Sequence, residues 1–437
     1  MAEPAMSVTP YWELTFDADG DVDRAERDRL LAQVAERRVR DLVVFAHGWN
    51  SDRTGATRLY SHFFAPFPEL TPGARTGYVG VIWPSMRFSD EPIPNFPRAL
   101  AAEPPRRPAL DKDTRHALLE SFPGRAPIVE QIGRLLEQQP GDEAELAEFG
   151  RLVRLLVEVV APGPQALFAA DTVAEGVPQD EPVMFTRPAA EVCAEFAGAL
   201  AGAEGFSLPN PWDGAHELLR QAAYYAMKRR AGTVGERGLG RVVGELAAAV
   251  PGVRVHLVGH SFGGRLVSFA LRGLPEGVRT VASVTLLQGA FSHYAFASRL
   301  PYDPRAGGVL QGQQHRVDGP VVCCHSRHDT ALGTFYPLAS RMAGDAQGAV
   351  EESGVGQLLG VKWGAMGYDG VQAVPGTRAM PLAEALSGPL PASGCVNVDA
   401  AAVVCHGGPP AGAHGDILHP ELARVVVAAG RIARPAA

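Results

Sequence analysis

Two kinds of apolar pattern alternate along this chain. Leu42 to Ala46, Tyr78 to Trp83, Val281 to Leu287 and Pro320 to Cys324 are short runs in which most positions are apolar and many are β-branched. Such runs are the mark of strands buried on both faces in a parallel sheet. Between them, Asp21 to Arg38, Ala56 to Phe64, Trp212 to Val250 and Glu421 to Ala433 carry apolar residues at helical spacing. Tyr11 to Phe16 alternates and ends at the turn signal Asp17 to Gly20, which adds a first strand. Cys395 to Val404 holds one or two more. Strand, helix, strand is the grammar of an α/β fold with right-handed crossovers.

The grammar stops at Arg87. From Phe88 to Pro108 prolines are dense, as in a linker or an extended lip, and the segments that follow are helical. Ile128, Val129, Ile132, Leu135 and Leu136 fall on one face, as do Leu146, Phe149, Leu152, Val153 and Leu156. Thr186 and Pro188 open another helix through Phe196. The chain thus divides into a core of residues 1–87 and 211–437 and a mainly helical insertion at 88–210. The amphipathic faces of the insertion need a partner, and the carboxyl edge of the sheet is one candidate. Gly344 to Gly394, rich in Gly, Ala and Pro, is expected to form loops on that same side.

One further strand carries the chemistry. Val253 to Val258 runs into Gly259, Ser261 follows, then Gly263 and Gly264, and the pattern turns helical through Leu266, Val267, Phe269, Ala270 and Leu271. This strand, tight turn and helix around G-x-S-x-G is a nucleophile elbow, in which glycines make room for a strained turn that presents a serine hydroxyl. A serine needs an adjacent base, and the base an orienting acid, each at a strand end. The chain supplies them in the order Ser, acid, His. Asp329 lies just past the apolar run ending at Cys324, ahead of the alternative Asp303, which lies well beyond its strand. His414 lies in a loop between the last strand region and the closing helix, with His406 and His419 as competitors. The oxyanion donors expected are the backbone N–H groups of Phe262, at the helix N-terminus, and Trp49, in the loop after Ala46. His47, Gly48, His260 and Gly289, at strand ends beside the serine, complete the expected substrate pocket.

Composition and charge mainly exclude. The 437 residues are 46% hydrophobic and 20% charged, which describes a chain with a sizeable core. The net charge of −8 is spread without long runs, so no nucleic-acid or anionic-membrane footprint is expected. The compact basic group Lys228 to Arg230 ends a helical pattern and suits that helix's C-terminus. No signal peptide or membrane-length apolar run is visible, and the 5 cysteines lack disulfide spacing. A cytoplasmic protein is expected. Cys323, Cys324, His325 and His328 form no expected metal site, since adjacent strand side chains point to opposite faces. His256 and Arg254, early in the elbow strand, suit a structural role.

Taken together, HGWN, GHSFGG, SRHD and AHGD, in that order, make the chain resemble the α/β-hydrolase superfamily. Trp83-Pro84-Ser85 after HGWN also resembles a bacterial branch of unassigned function. The resemblance covers residues 11 to 87 and 212 to 433. It implies an eight-stranded sheet and, as in esterases and lipases of the HG-x type, an oxyanion donor at Trp49. The insertion has no counterpart. The expected activity is hydrolysis of carboxylic esters through an acyl-enzyme, with no cofactor, on a small-molecule or lipid-like substrate. The helical insertion favours a covered, partly apolar pocket and hence lipophilic acyl groups. A thioesterase or amidase would use the same residues, and a non-catalytic hydrolase-like binding protein is the alternative class.

Overall fold

The short apolar runs form strands whose successive side chains enter two separate cores. In the segment Asp41–Ala46, Leu42, Val44 and Ala46 join the core on one face of the sheet, and Val43 and Phe45 the core on the other. Both faces are covered by helices, so burial rewards an apolar residue at every position and the polar alternation disappears. This is a computed structural model, and it describes residues 6–49, 51–86, 88, 110–159, 164–174, 176–177, 181–201, 210–343, 361–408 and 411–432.

The strands in chain order are β1 (Tyr11–Thr15), β2 (Asp41–Ala46), β3 (Thr76–Ile82), β4 (Thr172–Ala174), β5 (Arg254–His260), β6 (Val281–Leu287), β7 (Ala306–Gly308), β8 (Pro320–His325), β9 (Arg378–Pro381) and β10 (Gly394–Asp399). Eight of them form one sheet in the order β1-β3-β2-β5-β6-β8-β10-β9. Every pairing in that sheet is parallel. All strands therefore end at the same edge, and β5 lies near the middle between β2 and β6. The small pair of β4 and β7 is antiparallel and separate.

The helices begin where their side chains can satisfy the first free N–H groups. Asp23 caps Arg24–Glu36, Asp52 caps Arg53–Phe64 and Asn210 caps Pro211–Thr233, each accepting from a backbone N–H of the first turn. After β3 come Lys112–Ser121, Ala126–Gln138, Glu143–Leu156 and, further on, Ala189–Ala201. The last two pack on Pro211–Thr233. Their partner is thus a helix that itself packs on the helix Phe262–Gly273: Phe149 meets Trp212 edge-on at 5.7 Å, and Gly214 leaves room for the Cys193 carbonyl. The proline-dense stretch at 89–109 lies outside the described residues.

Two expectations are corrected. The Gly344 to Gly394 region contains strand β9 and the helix Leu382–Ser387; its residues 344–360 lie outside the described residues. The one or two strands expected in Cys395 to Val404 are met by one, β10. Lys228 does not cap a helix, which continues to Thr233. Its ammonium is buried and pairs with Asp171 at 3.0 Å, while Arg229 donates to the Val157 and Glu158 carbonyls at the end of Glu143–Leu156. Among the described residues no helix is long and apolar enough to cross a membrane.

Candidate active site

Glycines set the geometry of the elbow. A β-carbon on Gly259 would collide with the Gly263 carbonyl, and one on Gly263 with the carbonyls of Ala46 and His47. Between them Ser261 sits at φ 54° and ψ −122°, a backbone that costs a non-glycine residue about 1–3 kcal/mol. The neighbouring strand end holds it there. Ser261 N–H donates to Leu287 O at 3.1 Å, and Ala290 N–H donates to Ser261 O at 3.3 Å. The helix Phe262–Gly273 begins at the next residue, so its first N–H groups have no partner within the helix.

Ser261, His414 and Asp329 come together in one hydrogen-bonded series. His414 Nδ1 lies 2.8 Å from Asp329 Oδ2, and His414 Nε2 lies 2.9 Å from Ser261 Oγ. An ionised carboxylate only accepts, so the imidazole carries its proton on Nδ1, and Nε2 is left to accept from the serine hydroxyl. Asp329 is fully buried, and its other oxygen accepts the Leu332 N–H at 3.0 Å. Asp329 follows β8 and His414 follows β10, and these strands are neighbours. Ala413 N–H donates to His328 O at 2.9 Å and Ala331 N–H to Ala411 O at 3.2 Å, which stitches the two loops together.

The other candidates fall into place around this series. Gly48 approaches the nucleophile so closely that a β-carbon there would sit 2.8 Å from that of Ser261. Trp49 packs on Phe262 with ring centroids 6.2 Å apart. His47 is buried, stacked on Trp83 at 5.5 Å, and donates from Nδ1 to Gly48 O at 2.8 Å. Burial pushes its pKa down to about 4. His260 is also buried, and burial with the nearby His414 pushes its pKa down to about 3. Its Nε2–H donates to the His414 carbonyl at 2.8 Å, so it meets the histidine loop. Gly289 lies on the far side of the elbow, against Phe291 and Met366. Asn50 of the HGWN motif lies outside the described residues.

The alternatives lie apart from the series. His406 and His419 both engage Asp416, at 3.4 and 2.8 Å. Asp303 accepts from Arg305 N–H in its own turn. Cys323 and Cys324 enter cores on opposite faces, and burial pushes the Cys324 thiol up to about 12. Among the described residues no group of His, Cys, Asp or Glu is arranged to hold a metal ion. His256 lies 3.0 Å from both Asp41 and Ser283, and Arg254 pairs with Asp41, so both tie strands at the opposite end of β5. A cleft of about 500 Å³ opens near the HGWN loop, between Ser51, Trp83, Met86, His116 and Glu120. Neither Ser261 nor His414 lines it.

A buried charge cluster stands one helical turn behind the serine. Arg265 pairs with Asp171 and donates to the Phe168 and Ala170 carbonyls. Asp171 also accepts from Lys228, from Tyr336 Oη at 2.5 Å and from Ser292 N–H at 3.0 Å. Burial alone would raise the Asp171 pKa, but Lys228 and Arg265 outweigh it and hold the carboxyl at about 2. No sequence motif announced this cluster, because its members come from distant segments. No family model matches the chain, and neither a curated protein nor a solved structure matches it with significance.

Proposed function

We propose that this chain is a serine hydrolase of the α/β-hydrolase kind that cleaves carboxylic esters. The observation that carries the proposal is the continuous series from Ser261 Oγ through His414 to the buried Asp329. The parallel sheet with the serine at the end of a central strand supports the same reading, with 1–87 and 211–437 as core and 88–210 as insertion. Ser261 Oγ attacks the acyl carbon while His414 Nε2 takes its proton, and the tetrahedral oxyanion is met by the N–H groups of Trp49 and Phe262. His414 then returns the proton to the departing alkoxide as the C–O bond breaks. A water, deprotonated by the same imidazole, attacks the acyl-enzyme and releases the acid and Ser261. Asp329 keeps Nδ1 protonated and stabilises the imidazolium.

Ser261→Ala is expected to remove short-chain nitrophenyl ester hydrolysis, leaving at most about 10⁻³ of the wild-type kcat, and to abolish labelling by a fluorophosphonate probe. Wild-type rates in the folded variant, or folded wild-type protein that does not label, would overturn the assignment.

A further inference from the structure

Three side chains in the loops after β2 and β6 carry buried polar atoms without partners among the described residues. In the sheet β5 lies between β2 and β6, so the loops after those two strands flank Ser261 on either side. On the β2 side, Trp49 Nε1 and His47 Nε2 are buried and have no hydrogen-bond partner among the described residues. On the β6 side, both Nε2 and Oε1 of Gln288 are in the same condition. Gln288 is fully buried and holds φ at 44°, the left-handed region that side chains other than glycine seldom adopt. The residue before it and the second residue after it bind the serine backbone, through Leu287 O and Ala290 N–H.

A carboxamide offers two donors and an acceptor, and burying it unpaired works against folding. The molecule pairs such a group elsewhere. Asn397, also buried, accepts from Val371 N–H at 2.8 Å and donates to Val371 O at 2.9 Å. At Gln288 an unpaired amide coincides with a strained backbone, next to the nucleophile. Unfavourable features that concentrate at one position beside a reactive group are characteristic of sites kept for binding rather than stability.

We propose that the Gln288 carboxamide, with the Trp49 indole N–H across the serine, recognises a hydrogen-bonding group on the substrate, so that the preferred ester carries a hydroxyl or amide on its acyl chain. This rests on Ser261 being the nucleophile, and it replaces the lipophilic acyl group expected from the helical insertion. A plain hydrocarbon chain would leave the amide unpaired in the complex. A hydroxyacyl chain gives it both a donor and an acceptor.

The test compares nitrophenyl 3-hydroxybutyrate with 3-methylbutyrate and 2-hydroxybutyrate with 2-methylbutyrate, each pair differing by OH against CH₃. A separate aliquot of wild-type protein is first reacted with a fluorophosphonate to test labelling at Ser261, and the kinetics use the unreacted remainder. Absence of labelling would overturn the nucleophile and this proposal together. Where that aliquot labels, kcat/KM of the unreacted protein is expected to favour the hydroxyacyl ester about 10- to 100-fold in at least one pair. Gln288→Leu is expected to erase that preference, with a thermal midpoint no lower than wild type, since an unpaired buried amide is replaced by an apolar group of similar size. Wild-type protein whose test aliquot labels, and which when unreacted hydrolyses the methyl isosteres as well or better in both pairs, would overturn this proposal alone. So would an unchanged preference in Gln288→Leu.

Discussion

At the scale of single residues, His260 shows how a neutral histidine can serve a reaction it does not enter. Buried and held near pKa 3, it stays uncharged and keeps its Nε2–H on the His414 carbonyl. Its work is to hold the loop that carries the base. His260→Leu is expected to lower kcat by about 10-fold or more with KM little changed, because misplacing a catalytic group costs chemistry before binding. His260→Gln, whose amide N–H can reach the same carbonyl, is expected to recover part of the loss. Steady-state kinetics on one nitrophenyl ester decides it, and equal losses in both variants would count against positioning. That Ser261, Asp329 and His414 lie together was legible in the sequence because each ends a strand or fills a loop where a serine, an acid and a base would be expected to meet. The partner of His260 was not, since a backbone carbonyl 154 residues away leaves no trace in a pattern. Gln288 escaped for another reason: glutamine titrates with nothing and belongs to no motif.

At the scale of elements, the Asp171 cluster joins five segments: the stretch before β4, the helix Pro211–Thr233 through Lys228, the helix of the elbow through Arg265, the residues after β6 through Ser292, and the helix Tyr336–Ala343 through Tyr336. Removing one partner leaves the others charged in a dry interior. Asp171→Asn is therefore expected to destabilise the fold by about 3–5 kcal/mol, measured by urea unfolding. A loss below 1 kcal/mol would show that the two cations find other partners. The central strands were legible because burial on both faces forces apolar residues at every position. β9 was not, because its pattern is mostly exposed, at the edge of the sheet, where an apolar residue gains little. β4 and β7 have 3 residues each, too few for a period to show. Lys228 misled because burial of a lysine beside an aspartate from a distant segment resembles, in sequence, a helix end.

At the scale of the whole molecule, the buried neutral histidines make stability depend on pH. His47 and His260 have pKa values of about 4 and 3 in the folded chain, against about 6.5 when unfolded. Above pH 6.5 both are neutral in either state and pH has no effect through them. Below it the unfolded chain takes up protons that the folded chain refuses, so each costs about 1.4 kcal/mol per pH unit until its folded pKa is reached. Urea unfolding at pH 7.5, 6.5, 5.5 and 5.0 is expected to show constant stability at the upper end and a fall approaching 2.7 kcal/mol, roughly two protons' worth, per unit below about pH 6. A flat profile down to pH 5 would contradict their neutrality. The same scale bears on when the chain becomes reactive. Ser261 and His414 are 153 residues apart, and His414 reaches Asp329 only across neighbouring strands β8 and β10. A growing polypeptide therefore exposes its serine long before its base has been made. Until β10 docks, that hydroxyl is as inert as any other on the chain, so on the proposed function nucleophilicity arrives together with the completed sheet and cannot precede it.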